Sequence, residues 1–90
     1  MLLLSRTPAY EYLTNVLIAE VTSTIRNIPQ EVRLGRAEGL RRASVANLDA
    51  MHVVPKDHLG ALVGTVAPLR EREVKRALGY VLGWPELQVL

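Results

Sequence analysis

The apolar residues of this chain change period once, at Pro68, and that change limits the folds open to it. From Pro68 to Leu82 the residues Val74, Ala77, Leu78, Val81 and Leu82 fall at helical spacing. Arg70, Glu71, Arg72, Glu73, Lys75 and Arg76 fill the first turns, with Glu71 and Lys75 in the favourable i,i+4 order. Pro68 suits the first helical position, which makes Ala67 the N-cap. Gly83 suits the position just past the helix, and Pro85 prevents continuation. Gly79 falls away from the Val74, Leu78, Val81 stripe, which assigns it to the exposed face. Before Pro68 the pattern is one of short strands. The β-branched run Val16 to Thr22 predicts a strand buried on both faces. Leu2 to Ser5, Glu31 to Leu34, and Ser44 to Leu48 continued by Met51 to Val54 predict three more, the last bent near Asp49. Leu62 to Val66 predicts a final short strand. Thr7-Pro8 can start a helical turn. Asn27-Ile28-Pro29 and Pro55 to Gly60 predict turns, and Gly35 to Arg42 a polar loop. Strands followed by one terminal helix predict a β-rich α+β fold, a small barrel with a helix against it.

Ninety residues bound this to one domain, residues 1–90. A chain this short buries only roughly 60–65% of its unfolded surface, so it gains much from a partner subunit. The absence of cysteine excludes disulfides and thiolate metal sites and fits a reducing cytoplasm. No apolar run approaches the roughly 20 residues that span a bilayer, and no membrane association is expected. Met1 to Leu4 is too short for a signal peptide. No His/Asp/Glu spacing suggests a metal and no Gly-rich loop a nucleotide, so no cofactor is expected.

The net charge of +2 says little, but its distribution says more. Arg26, Arg33, Arg36, Arg41 and Arg42 crowd a stretch whose only acids are Glu31 and Glu38. A planar guanidinium pairs two-pronged with phosphate, which suits a nucleic-acid ligand. A solubilising surface loop is the alternative for a bare charge run. Beside it stand the hydroxyls of Thr22, Ser23 and Thr24, which equally favour β structure and end a strand. Asn47 and Asp49 have the groups to read base edges, or to form a turn-making Asx pair. Nothing in the sequence brings His52 and His58 together, so a two-histidine ribonuclease is not expected. Tyr10, Tyr12, Tyr80 and Trp84 are too dispersed for a base-stacking platform and are assigned to core or dimer contacts.

Several stretches in order resemble the MazF/PemK toxin family. They are Val21-Thr22-Ser23-Thr24-Ile25-Arg26 with Pro29 and Glu31-Val32, then Ser44-Val45-Ala46-Asn47-Leu48-Asp49-Ala50-Met51. Leu59-Gly60 with Gly64-Thr65-Val66, and Pro68 through Gly83, complete the series. The similarity runs from about residue 2 to residue 84. It implies an SH3-like barrel that forms homodimers, cuts single-stranded RNA, often mRNA, at short sequences without a metal, and is inhibited by a cognate antitoxin. The family pattern begins with a tryptophan-bearing strand, a Gly-rich loop and an Arg-Pro pair before the strand matched by Leu2 to Arg6. The sequence given starts at that second strand, so the barrel is expected to be N-terminally incomplete. An internal codon taken as the start would explain this, and a real truncation is the alternative.

Metal-free RNA cleavage uses the 2′-hydroxyl as nucleophile and needs a proton acceptor, donors on the phosphate oxygens and a proton source for the leaving 5′-oxygen. The resemblance assigns these roles to an arginine in the segment missing here and to a strand-end threonine matched by Thr22. A hydroxyl is a poor base, so Thr22 is assigned to phosphate binding and orientation. Ser23 and Thr24 add donors, and Arg26 holds a flanking phosphate. Arg26 is expected to supply affinity and salt dependence, and Asp49 with Asn47 the choice of sequence. Without the arginine the 90 residues are expected to be much less active. The alternatives are a non-catalytic shortened toxin that dimerises and binds antitoxin, and a gyrase-inhibiting CcdB-like toxin.

Overall fold

The computed structural model describes residues 1–4, 14–59, 64–66 and 68–89. Four antiparallel strands form one sheet: β1 (Leu2–Leu3), β2 (Asn15–Thr22), β3 (Glu31–Leu34) and β4 (Ser44–Pro55), in the order β1-β2-β4-β3. The sheet curls into a half-barrel, and helix α1 (Pro68–Leu82) packs on β3 and β4. A short helix α2 (Pro85–Gln88) follows it.

The first half of β4 is the centre of the sheet. Thr22, Val21 and Glu20 of β2 pair with Val45, Ala46 and Asn47, while Arg33, Val32 and Glu31 of β3 pair with the same three residues from the other side. Strand residues alternate between faces. Ala46 and Leu48 therefore share a face with Ala19, Val32 and Leu34, and this face meets Ala77 of α1 in the hydrophobic core. Val74, Leu78 and Val81 of α1 close over it, as the helical spacing predicts. Fully burying one such aliphatic side chain is worth roughly 1.5–3 kcal/mol.

β2 buries residues on both faces, as the sequence predicts, but only in its middle: Leu17 and Glu20 are exposed. Its dense β-branched content reflects the needs of a curled sheet, where Val16 and Ile18 are buried on the face opposite Ala19. The bend in β4 is a register shift. Glu20 pairs with Asn47, but Ala19 pairs with Met51, so Leu48, Asp49 and Ala50 have no counterpart on β2. The Gly35 to Arg42 connection holds a 3-10 turn at Arg36–Glu38. Glu38 is buried; one of its carboxylate oxygens accepts the Gly35 amide at 2.7 Å and the other faces Arg70 Nε at 3.9 Å. A second 3-10 turn, Lys56–His58, occupies the predicted Pro55 turn and leaves His58 exposed.

The predicted last strand is not formed over its described residues, 64–66. A Cβ on Gly64 would collide with the Glu38 carbonyl, so this segment lies against the β3–β4 connection. The Thr7-Pro8 turn, Tyr10, Tyr12 and Ala67 lie outside the described residues. Helix α1 begins at Pro68 and ends in a Schellman motif. Gly83 is left-handed (φ 69°), its amide donates to Tyr80 O at 3.3 Å, and the Trp84 amide donates to Gly79 O at 2.8 Å. One expectation fails here: Gly79 is buried, because α2 folds back onto it. Tyr80 and Trp84 are about half exposed, which takes them out of the core and leaves the dimer-contact alternative for them.

Candidate functional site

Register decides which polar side chains meet on the face opposite α1. Thr22 and Arg33 are both partners of Val45, so they flank it on that face, two strand spacings or roughly 9–10 Å apart. Asn47 sits one row further on, between Glu20 and Glu31. It is thus a diagonal neighbour of both Thr22 and Arg33, at roughly 7–8 Å. Thr22 is exposed at the very end of β2. Its Oγ1 accepts the Thr24 amide at 3.1 Å. That bond fixes the hydroxyl oxygen while leaving its proton available to an anion. Ser23 and Thr24 follow, exposed, in the loop.

The loop between β2 and β3 is held by Glu31. The Arg26 and Asn27 amides both donate to Glu31 Oε1 at 3.0 Å, and Arg26 Nε lies 3.5 Å from Oε2. The Glu31 side chain is only 2% exposed, whereas that of Arg26 is 59% exposed. Burial would push the Glu31 carboxyl up, but the amides of Arg26, Asn27 and Ile28 and the Arg26 guanidinium together outweigh it and leave the pKa lowered. Arg33 is tied to the same loop: its guanidinium donates to Asn27 Oδ1 at 2.6 Å. Arg26 therefore reaches solvent with its charge partly matched by Glu31.

Asn47 and Asp49 form the Asx arrangement that the sequence allowed. Asn47 Oδ1 accepts the Asp49 amide at 2.9 Å, and Asp49 Oδ2 accepts from Gln30 Nε2 at 2.8 Å. These bonds join the loop to β4; Thr22, Thr24, Arg26 and Asp49 are exposed, and Asn47 is half-buried. Arg36, Arg41 and Arg42 are exposed in the β3–β4 connection, apart from the strand face that carries Arg33.

Sequence reasoning missed Glu31, Arg33, Glu20 and His52 as members of this face. Alternation and register place the first two, and Asn27, left-handed at φ 56°, marks the tight turn that brings Glu31 back under the loop. Among the described residues no group of three or more His, Cys, Asp or Glu side chains could hold a metal ion. No described helix is long and apolar enough to cross a membrane.

A curled antiparallel sheet with a helix on one face and hydroxyl, amide and guanidinium groups on the other defines a small half-barrel protein with one polar face. The chain belongs to the family of PemK-like, MazF-like toxins of type II toxin–antitoxin systems, whose model matches residues 1–82. It is 31% identical over 86 residues to "Endoribonuclease MazF3" of Mycobacterium tuberculosis (strain CDC 1551 / Oshkosh), an alignment covering 93% of this chain and 84% of that protein. Among solved structures, "Mycobacterium tuberculosis toxin MazF-mt6" superposes with a TM-score of 0.88 at 30% identity, covering 91% of this chain and 83% of that one. An "Endoribonuclease in complex with its cognate antitoxin from Mycobacterial species" gives 0.80 at 30% identity, covering 92% and 79%. These relatives carry the SH3-like barrel fold expected from the sequence.

Proposed function

We propose that this protein is the toxin of a toxin–antitoxin pair and a metal-independent, sequence-selective endoribonuclease acting on single-stranded RNA in the cytoplasm, as a homodimer held in check by a cognate antitoxin. The family and the names of its relatives support the reaction class, and the antitoxin complex of one structural relative supports the partner. The observation that carries the reading is the placement of Thr22. Its exposed hydroxyl is fixed by the Thr24 amide and shares a face with Arg33 and Asn47. This set suits a phosphodiester: a hydroxyl proton and a guanidinium for phosphate oxygens, and amide and carboxylate groups on Asn47 and Asp49 for base edges. Ser23, Thr24 and Arg26 extend the surface along the strand of RNA.

The test is incubation of the purified protein with a pool of single-stranded RNA in excess EDTA, followed by mapping of the product ends. Slow cleavage at a short recurring sequence, leaving 5′-hydroxyl ends, is expected of these 90 residues, which lack the arginine of the family pattern. Abolition by the chelator would overturn the metal-free assignment. Thr22→Ala should retain the oligomeric state and lose on the order of 100–1000-fold in rate, as for removal of one donor to a developing oxyanion. An unchanged rate would reduce Thr22 to a strand terminator.

A further inference from the structure

The β3–β4 connection carries charge that nothing around it answers. Arg26 faces Glu31, Arg33 donates to Asn27, and Arg70 lies between Glu38 and Glu73. Arg36, Arg41 and Arg42, by contrast, are exposed and have no side-chain hydrogen bond or ion pair among the described residues. The acid of the connection, Glu38, is turned inward onto the Gly35 amide and Arg70 and is only 7% exposed. The charge that the connection shows to water is therefore cationic alone. Its backbone is fixed. The Leu40 amide donates to Gly35 O at 3.1 Å, Gly39 is left-handed at φ 91°, and Ser44 Oγ donates to Arg42 O at 3.1 Å. Leu40 packs against the core. Arg36 and Arg41 each stand one residue from the bonded Gly35–Leu40 pair, and Arg42 follows directly. Three like charges held this close repel one another, and an anion between them relieves that repulsion.

The connection also lies at the right end of the sheet. Leu34 pairs with Ser44 in the row next to the one that holds Thr22, Val45 and Arg33. Arg42 precedes Val45 by three residues, so their Cα atoms are at most roughly 11 Å apart. Thr22 is one strand spacing, roughly 4.7–4.9 Å, beyond Val45. An RNA strand seated at Thr22 therefore passes the connection where it leaves this end of the sheet. We propose that Arg36, Arg41 and Arg42 form a flanking phosphate site, which holds the backbone of single-stranded RNA beyond the nucleotides at Thr22, Asn47 and Asp49. The inference rests on the ribonuclease reading above and deepens it by separating affinity from choice of sequence. Guanidinium groups pair two-pronged with phosphate oxygens, and such contacts position the strand without selecting bases. Because the connection is already fixed, little backbone freedom is lost when RNA binds. The sequence predicts this role for Arg26, but Glu31 offsets part of that charge. The unpaired arginines of the connection supply it instead.

The experiment measures binding of labelled oligouridylates of increasing length, by fluorescence anisotropy, from about 50 to about 200 mM salt. Affinity for the unsubstituted protein should rise with length and then level off. The variant Arg36→Gln/Arg41→Gln/Arg42→Gln should level off at a shorter length and a weaker affinity. Its melting temperature should stay that of the parent, and in an RNA pool it should cut the same sequence. Each phosphate contact to a single strand contributes roughly −0.7 to the slope of log affinity against log salt, so over this rise in salt the parent should lose about 20-fold more affinity than the variant. Lysine at the same three positions keeps the charge and should keep most of the salt dependence. Arg72→Gln/Lys75→Gln removes exposed charge from α1 and should leave the length dependence intact. Equal affinity and slope for the parent and the glutamine variant would overturn the proposal and leave the ribonuclease reading standing. An equal loss in the α1 variant would do the same, because the effect would then be one of net charge. Length-dependent binding that the three substitutions abolish, with no cleavage of any RNA by the parent, would keep the flanking site and overturn the ribonuclease reading. Absence of RNA binding by the unsubstituted protein would overturn both.

Discussion

The chain reverses direction between β2 and β3 and again between α1 and α2, and the two corners are built by opposite means. The first is polar. Glu31 gathers two amides and a guanidinium, Thr22 holds the Thr24 amide, and Asn27 takes the left-handed conformation while accepting from Arg33. The second is a matter of close approach. Gly83 turns left-handed, and α2 returns so tightly that a Cβ on Gly79 would lie 2.6 Å from Leu87 Cβ and 3.0 Å from Trp84 O. The polar corner carries the proposed substrate contacts, and the packed corner carries none of them. A binding loop keeps its donors near water and so depends on protonation. A corner made by excluding everything but hydrogen from one site depends on volume alone.

The largest expected effect at the packed corner is that of Gly79→Ala. Helix propensity favours alanine by about 1 kcal/mol in a helix interior. Overpacking costs about 1–3 kcal/mol, and the atoms met here include backbone of the α1–α2 corner, which has little room to yield. We expect a net loss of about 1 kcal/mol in denaturant melts at one fixed protein concentration, since the midpoint of the proposed dimer would move with concentration. Trp84, the sole tryptophan, should report the displacement of the corner by its fluorescence. The loss should not depend on pH. A shortened protein ending at Trp84 removes Leu87 and Gln88, and there the cost of Gly79→Ala should shrink or reverse. A gain in stability in the full chain would mean that α2 does not pack on α1 in solution.

The polar corner should answer to pH instead. Because the Glu31 pKa is lowered on folding, its contribution is fully present above the ordinary glutamate value of 4.5 and is lost as pH falls through the lowered value. Glu31→Gln removes the charge but keeps an acceptor. It should destabilise the protein at neutral pH by less than Gly79→Ala does, and the two melting curves should converge as the pH drops below about 4.5. Parallel curves across that range would show that Glu31 is not ionised against the loop amides.

What was legible in the sequence follows the same division. Period and punctuation located β3 at Glu31–Leu34 and α1 at Pro68–Leu82, because alternation, Pro68 and Gly83 act locally. The bend in β4 was legible too, but not its consequence. A three-residue shift against β2 is a property of two strands, and only it explains why His52 shares a face with Asn47. Gly79 was assigned to the exposed face because helical spacing describes α1 alone. Pro85 stops α1 but also begins α2, and the return of that short helix covers Gly79. Thr22, Asn47 and Asp49 were singled out by residue type and resemblance. Arg33 and Glu31 needed the pairing of β3 with β4 before they could be placed beside them.

The smallest expected effect isolates one bond of the polar corner. Asn27 has φ 56°, a conformation that asparagine tolerates better than other residues with a Cβ, and its Oδ1 accepts from Arg33 at 2.6 Å. Asn27→Gly keeps the backbone conformation at no steric cost and removes only the acceptor. For an exposed contact of this kind the loss should be about a few tenths of a kcal/mol. Asn27→Ala removes the same acceptor and also places a poorly tolerated Cβ at positive φ, which adds about 1 kcal/mol. The difference between the two variants therefore measures the backbone term, and the glycine variant alone measures the tie to Arg33. Equal stability of the two would show that residue 27 is not left-handed in solution. The Glu31 clamp would then have to hold the loop in some other conformation, because the Arg26 and Asn27 amides converge on one carboxylate oxygen only when the chain turns sharply between them and Glu31.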